Sequence, residues 1–204
     1  MTAVERSPGA EILVHTRDGG EVAGAVVVAV PLNALGAVRF EPGLPEDKQA
    51  AIALGQASRG IKIMLRVRGA PMMQNAIRPG HPFGYLDSEE LNGDGTQLMI
   101  GFGPDATACN AADLPAVQRQ LDAILPGYEL LDATAHDWLG DEYARGTWAI
   151  HRPGWYQHHH AAMQRPEGRV LFAGSDLADG WAGFIDGAIE SGLRAGARAA
   201  ELSR

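Results

Sequence analysis

Residues Arg169 to Leu202, which close the chain, read RVLFAGSDLADGWAGFIDGAIESGLRAGARAAEL. The run Val170-Leu171-Phe172 is apolar throughout and predicts a short buried strand, which Ala173-Gly174-Ser175-Asp176 then breaks. From Trp181 the apolar residues recur at helical spacing, at Trp181, Phe184, Ile185, Ala188, Ile189, Gly192, Leu193 and Gly196. Asp186, Glu190, Arg194 and Arg198 fall on the opposite side. The stretch therefore predicts a strand, a small-residue loop and a helix. Gly183 and Gly187 stand in the first helical turns, where glycine costs helix stability, so a close approach to the backbone is expected there. A helix start carries free N–H groups and partial positive charge, which suits an anion or an electron-rich carbonyl. On pattern alone, many α/β proteins close with such a unit and bind nothing at it.

Working outward, the 204 residues suffice for one domain or two small ones. Hydrophobic content of 46% and charged content of 21% are those of an ordinary globular protein. A net charge of −8 argues against nucleic acid and anionic membrane surfaces as partners. The single cysteine, Cys109, excludes an intramolecular disulfide and a multi-cysteine metal site. No apolar stretch is long enough to span a bilayer, and the first residues lack the apolar core of a signal peptide, so a cytoplasmic location is expected.

Glu11 to Thr16 predicts a strand, Arg17-Asp18-Gly19-Gly20 a hairpin turn, and Ala25 to Val30 a strand covered on both faces and ended by Pro31. Pro45, with Glu46 and Asp47 behind it, opens a helix through about Leu54. In Gly60 to Arg68 the residues Ile61, Ile63, Leu65 and Val67 alternate with Lys62, Met64, Arg66 and Arg68, a half-buried strand on which Lys62 belongs to the solvated face. Short strands such as Gln97 to Phe102 follow. Gly101 to Ala106 falls short of a dinucleotide fingerprint because the third glycine is missing and Pro104 opposes a helix. Leu114, Val117, Leu121 and Ile124 predict a helix stopped by Pro126-Gly127. His158-His159-His160 reads as a solvated loop, since three consecutive side chains converge poorly on one ion; no metal ligands are assigned. Internal repeats, a nucleophile elbow and a P-loop are absent.

The wording of three segments resembles the flavin-containing monoamine oxidase family. Phe172 to Asp176 matches F-A-G-[TS]-[ED], Trp181 to Phe184 matches W-x-G-[YF], and Gly187 to Gly192 matches G-A-x-x-[SA]-G. Asp137 to Trp148 is similar to that family's W-x-x-[ED]-x-[YF]-x-x-G-x-[YW], and Phe40 to Pro45 to its F-x-P-x-L-P. The resemblance implies an α/β (α+β mixed) fold: part of a Rossmann-like FAD-binding domain from residues 1–35 and 166–204, and most of a substrate domain with a mixed sheet from 36–165. It covers the C-terminal half of the family pattern, and the N-terminal glycine-rich dinucleotide turn has no counterpart here. The expectation is accordingly a chain that works with a second chain carrying that half, or as a fragment of a longer one.

For the site, the resemblance implies catalytic roles for Lys62, which would hold a water at the flavin N5, and for Trp148 and Phe184, which would form an apolar slot for the amine. It implies cofactor contacts from Val4, Trp138, Gly174, Ser175, Asp176, Trp181, Gly183, Phe184, Ile185 and Ala188. Asp176 would accept hydrogen bonds from the ribityl or ribose part of FAD, and the helix start at Phe184-Ile185 would face the flavin C2 carbonyl. Thr147 stands where a cysteine bonds the flavin in mammalian members, so FAD would be held non-covalently there. The implied reaction oxidises an amine to an imine, then a carbonyl compound, and reduces O2 to hydrogen peroxide. A non-catalytic flavoprotein-like subunit or binding module that needs a partner chain is the alternative.

Overall fold

The structure, a computed structural model, describes residues 1–7, 11–70 and 72–203. In chain order these form β1 (Ala3–Arg6), β2 (Ile12–Thr16), β3 (Gly19–Ala23), β4 (Val26–Val28), α1 (Leu32–Leu35), β5 (Arg39–Glu41) and α2 (Glu46–Leu54). There follow β6 (Ile61–Arg68), β7 (Asn75–Ile77), β8 (Tyr85–Leu91), β9 (Thr96–Gly103), α3 (Leu114–Ile124) and β10 (Glu129–Ala135). The chain closes with α4 (Ala161–Gln164), β11 (Val170–Phe172) and α5 (Ile185–Leu202). It divides into two compact units, Met1–Ala57 with Glu142–Arg204, and Ser58–Asp141.

The first unit holds a four-stranded mixed sheet, order β3-β2-β1-β5, and a parallel pair of β4 with β11. The expected hairpin joins β2 to β3: Thr16 pairs with Gly19, and Thr16 Oγ1 accepts the Asp18 N–H at 3.2 Å inside the turn. Val4, Ile12, Val28, Leu35, Phe172 and Trp155 are among the side chains that make one buried core. The predicted 25–30 strand is shorter than expected, three residues, and only partly covered. Val28 is buried, whereas Val27 is exposed beside the single partner β11.

The second unit is a five-stranded antiparallel sheet, order β10-β6-β9-β8-β7, with α3 laid on it. Antiparallel pairing follows from short connections such as the Asn92–Gly95 turn, where the Gly95 N–H donates to the Asn92 carbonyl at 3.1 Å with Gly95 at φ 80°. The alternation along β6 is met: Ile61, Ile63, Leu65 and Val67 are buried, and Lys62, Arg66 and Arg68 exposed. Val117 and Leu121 of α3 join that core, and Asp113 caps the helix by accepting the Ala116 N–H at 3.0 Å.

α5 is where sequence pattern and structure part. It begins at Ile185 and not at Trp181, because Trp181 (φ 52°) and Gly183 (φ 85°) adopt left-handed backbone that no α-helix contains. Its buried residues are Gly187, Ser191 and Ala195, one small-residue stripe, while Ile185 (80% exposed), Ile189 and Leu193 (71%) face outward. Gly187 makes the close approach that its position predicts. A β-carbon there would lie 2.4 Å from the Trp181 carbonyl oxygen and 2.9 Å from Ala178 Cβ, so what approaches this backbone is the chain itself. No helix among the described residues is long and apolar enough to cross a membrane.

Candidate functional site

Two parallel strands set out the site. β4 and β11 run side by side, so the segments leaving them, Ala29-Val30-Pro31 and Ala173 to Gly180, emerge at the same end. Open α/β structures offer ligand crevices at the carboxyl ends of parallel strands. Here a cleft of about 330 Å³ lies at that end, bounded by Val27, Val30, Gly174, Ser175, Asp176 and Ala188. A second cleft of about 450 Å³, bounded by Met1, Thr2, Thr16, Asp18 and Arg145, shares Ala29, Val30 and Pro31 with the first. The two adjoin across that tripeptide, an outline suited to an elongated ligand.

Four expected cofactor residues, Gly174, Ser175, Asp176 and Ala188, meet in the first cleft. Asp176 Oδ2 accepts the Leu32 N–H at 2.9 Å, and Oδ1 lies 3.4 Å from Ser175 Oγ. Gly174 sits at φ 134° with open space where a β-carbon would be, and its N–H and carbonyl both engage Ser191 Oγ, at 3.0 and 2.9 Å.

Trp181, Gly183, Phe184 and Ile185 gather at the start of α5. The Gly183 N–H donates to the Ser175 carbonyl at 3.1 Å, and Trp181 meets Phe184 edge-on with ring centroids 6.1 Å apart. Both rings are largely exposed, at 71% and 62%. Phe184, at the N-cap of α5, makes no side-chain cap bond, and among the described residues no other side chain is seen to cap its first N–H groups. The segment that carries Trp148 comes close as well: a β-carbon at Gly183 would lie 3.2 Å from Ala149 Cβ.

Val4, whose expected contact is through the backbone of its strand, is fully buried in the core of the first unit on β1, which pairs with β2 and β5. Lys62 and Trp138 belong to the second unit. Lys62 is exposed with Nζ 5.9 Å from the Phe102 ring centroid, and Trp138 packs against His136 at 4.3 Å.

Pattern reading missed several residues. Asn33 donates from Nδ2 to the Arg145 carbonyl at 3.0 Å and accepts the Gln56 N–H at 2.8 Å, which fixes the left-handed turn at Arg145 (φ 52°) just before Gly146-Thr147-Trp148. Lys48 is fully buried. Its Nζ bonds the Ala162 and Arg165 carbonyls and lies 3.5 Å from Glu167 Oε1, and burial pushes its pKa down to about 8. The three histidines do not form a solvated loop. Tyr156–His160 is a π-helical turn running into α4, and His160 Nε2 reaches the Ala178 carbonyl at 3.1 Å. These roles leave no mark in a local pattern, because the partners lie far away in sequence and most are backbone groups.

The family model described as flavin containing amine oxidoreductase matches residues 1–200. The chain belongs to this family. It is 38% identical over 189 residues to pseudooxynicotine dehydrogenase of a Pseudomonas species, covering 91% of this chain and 38% of that one. It is 31% identical over 192 residues to (S)-6-hydroxynicotine oxidase of Paenarthrobacter nicotinovorans, covering 94% and 44%. Among solved structures, putrescine oxidase, wild type bound to putrescine, superposes with a TM-score of 0.83 at 20% identity, over 98% of this chain and 47% of that one, a likeness of fold. The chain thus spans about four tenths of the length of the curated relatives it matches. Membership implies a flavin as the family's cofactor.

Proposed function

We propose that the chain forms the flavin-facing C-terminal part of an FAD-dependent amine oxidase. It would oxidise an amine to an imine, which water hydrolyses to a carbonyl compound, and pass the electrons to O2 to give hydrogen peroxide. The observation that carries the reading is the pair of adjoining clefts at the carboxyl ends of β4 and β11, beside the uncapped start of α5. A flavin fits these residues. The walls of the first cleft are mostly apolar, Asp176 offers a carboxylate oxygen to hydroxyl groups, and the α5 N–H groups suit an electron-rich carbonyl.

When bound, FAD supplies the two-electron acceptor. Trp148 and Phe184 desolvate the substrate nitrogen and so favour the neutral amine over the ammonium form. By the family resemblance, Lys62 would orient a water and Trp138 would lie near the flavin ring. Thr147 carries no thiol, which supports a non-covalent flavin. Residues 1–35 and 166–204 would serve the flavin and 36–165 the substrate, and the compact unit Ser58–Asp141 lies wholly within the latter span. The dinucleotide-binding part would come from a second chain or from a longer form of this one. The bare apolar stripe Ile185, Ile189 and Leu193 supports such an association.

Of the two curated relatives named above, one is called a dehydrogenase and the other an oxidase. Oxygen as acceptor therefore needs its own measurement, which is peroxide release from a panel of amines by the protein assembled with a dinucleotide-binding partner. Flavin reduction by an amine with peroxide formation supports the reading. Flavin uptake without turnover would make this a non-catalytic flavoprotein subunit. A Lys62→Met variant that kept full rates of flavin reduction and reoxidation would remove Lys62 from the catalytic set.

A further inference from the structure

The segment Gly174 to Gly180 carries Ser175 and Asp176 into the cleft, and side chains from outside hold its backbone. The Leu177 carbonyl accepts from Gln164 Nε2 at 2.8 Å and from an Arg194 guanidinium nitrogen at 3.2 Å. Glu190 accepts the Asp179 and Gly180 N–H groups at 3.1 and 3.0 Å. Two more carbonyls of the segment face imidazoles: Asp176 O lies 2.9 Å from His151 Nε2, and Ala178 O lies 3.1 Å from His160 Nε2.

A carbonyl oxygen only accepts, so both imidazoles must carry hydrogen on Nε2. For His151 the rest of the ring fixes the protonation state. It stacks on the fully buried Trp155, with centroids 3.9 Å apart and planes at 7°, and its Nδ1 is buried without a partner. A proton on Nδ1 would leave a buried, unpaired charged donor, and burial accordingly lowers the His151 pKa. His151 is therefore a neutral donor with a single hydrogen-bonding direction, locked by stacking. Asp176 Oδ2 is fixed from the other side by the Leu32 N–H. A carboxylate tied both through its own backbone carbonyl and through one oxygen keeps the second oxygen aimed without a ligand in place.

We propose that His151 and His160 are positioning residues: as Nε2–H donors they clamp the Asp176 and Ala178 carbonyls and preset the Asp176 carboxylate for the cofactor. The clamp is a property of the chain itself, and its consequence for cofactor binding rests on the flavin reading above.

The test uses the 204-residue chain and two variants. His151→Phe keeps the ring on Trp155 and deletes the donor, while His151→Gln returns an amide N–H within reach of the same carbonyl. Imidazole nitrogen NMR of the wild type should show the neutral Nε2–H tautomer for His151 and a proton on Nε2 of His160. Amide exchange at Leu177 and Ala178, whose N–H groups donate to the Gly174 and Ser175 carbonyls, should rise at least tenfold in His151→Phe. It should return towards wild type in His151→Gln, with exchange in β1 and β2 unchanged in both. FAD titration, with the dinucleotide-binding polypeptide supplied, should show weakened binding in His151→Phe that His151→Gln restores. An Nδ1–H tautomer at His151, or unchanged exchange in His151→Phe, overturns the clamp. If His151→Phe does not fold, the wild-type tautomer decides. If the exchange results hold while wild type takes up no flavin, the clamp stands and the flavin reading fails.

Discussion

Asp176 Oδ2 accepts the backbone N–H of Leu32 at 2.9 Å, a bond from the segment after β11 to the first residue of α1, which follows β4. One carboxylate thus joins the two chain segments that form the cleft, and Leu32 itself is buried. Asp176→Ala leaves that N–H unpaired, at a cost of roughly 1–3 kcal/mol. Asp176→Asn keeps an acceptor for Leu32 but loses the charge at the cleft. Thermal melts should therefore fall for the alanine variant, by about 2–4 °C per kcal/mol, and hold near wild type for asparagine. Flavin affinity should drop in both.

Two glycines of α5 should respond with opposite sign. Gly187→Ala places a methyl 2.4 Å from the Trp181 carbonyl oxygen, an overpacking that costs about 1–3 kcal/mol. Gly196→Ala meets nothing within 4 Å in a helix interior and should stabilise by roughly 0.5–1 kcal/mol. Chemical denaturation of the two variants checks the pair.

Lys48 gives a pH signature. Burial lowers its pKa from the ordinary 10.5 to about 8. The folded form releases its proton first, so between about pH 8 and 10.5 the unfolded chain binds more protons, and this group's contribution to stability rises with pH across that window. Below pH 8 both states are protonated and the cost of the buried charge is constant. Denaturation of wild type and Lys48→Met at pH 7.5, 9 and 10 should show the difference moving in favour of wild type as pH rises, and a flat difference would refute the assignment.

The outward stripe of α5 should matter for association and not for folding. Ile189→Glu with Leu193→Glu alters two exposed side chains, so stability should stay within about 0.5 kcal/mol of wild type. Co-elution with the dinucleotide-binding polypeptide should be lost.

The strand, loop and helix of the closing stretch were legible because a run of apolar residues and a 3.6-residue period are local signals. Which face of the helix turns inward was not. The pattern places Ile185, Ile189 and Leu193 on one apolar side, and the structure buries Gly187, Ser191 and Ala195, since close backbone approach selects small residues. The left-handed pair Trp181 and Gly183 delays the helix, and of the two only the glycine hints at it. Within the candidate site, Gly174, Ser175, Asp176 and Ala188 meet in one cleft. Asn33, Lys48 and His151 escaped notice, and His160 was expected in a solvated loop, because each holds distant carbonyls and no spacing encodes such a bond.

The most direct test of the flavin-site account is anaerobic titration of the chain, assembled with a dinucleotide-binding polypeptide and FAD, with an amine. The account predicts flavin absorbance that bleaches with the amine and returns with air as peroxide appears, and a flavin released intact when the protein is denatured. An assembly that forms yet takes up no flavin would contradict it.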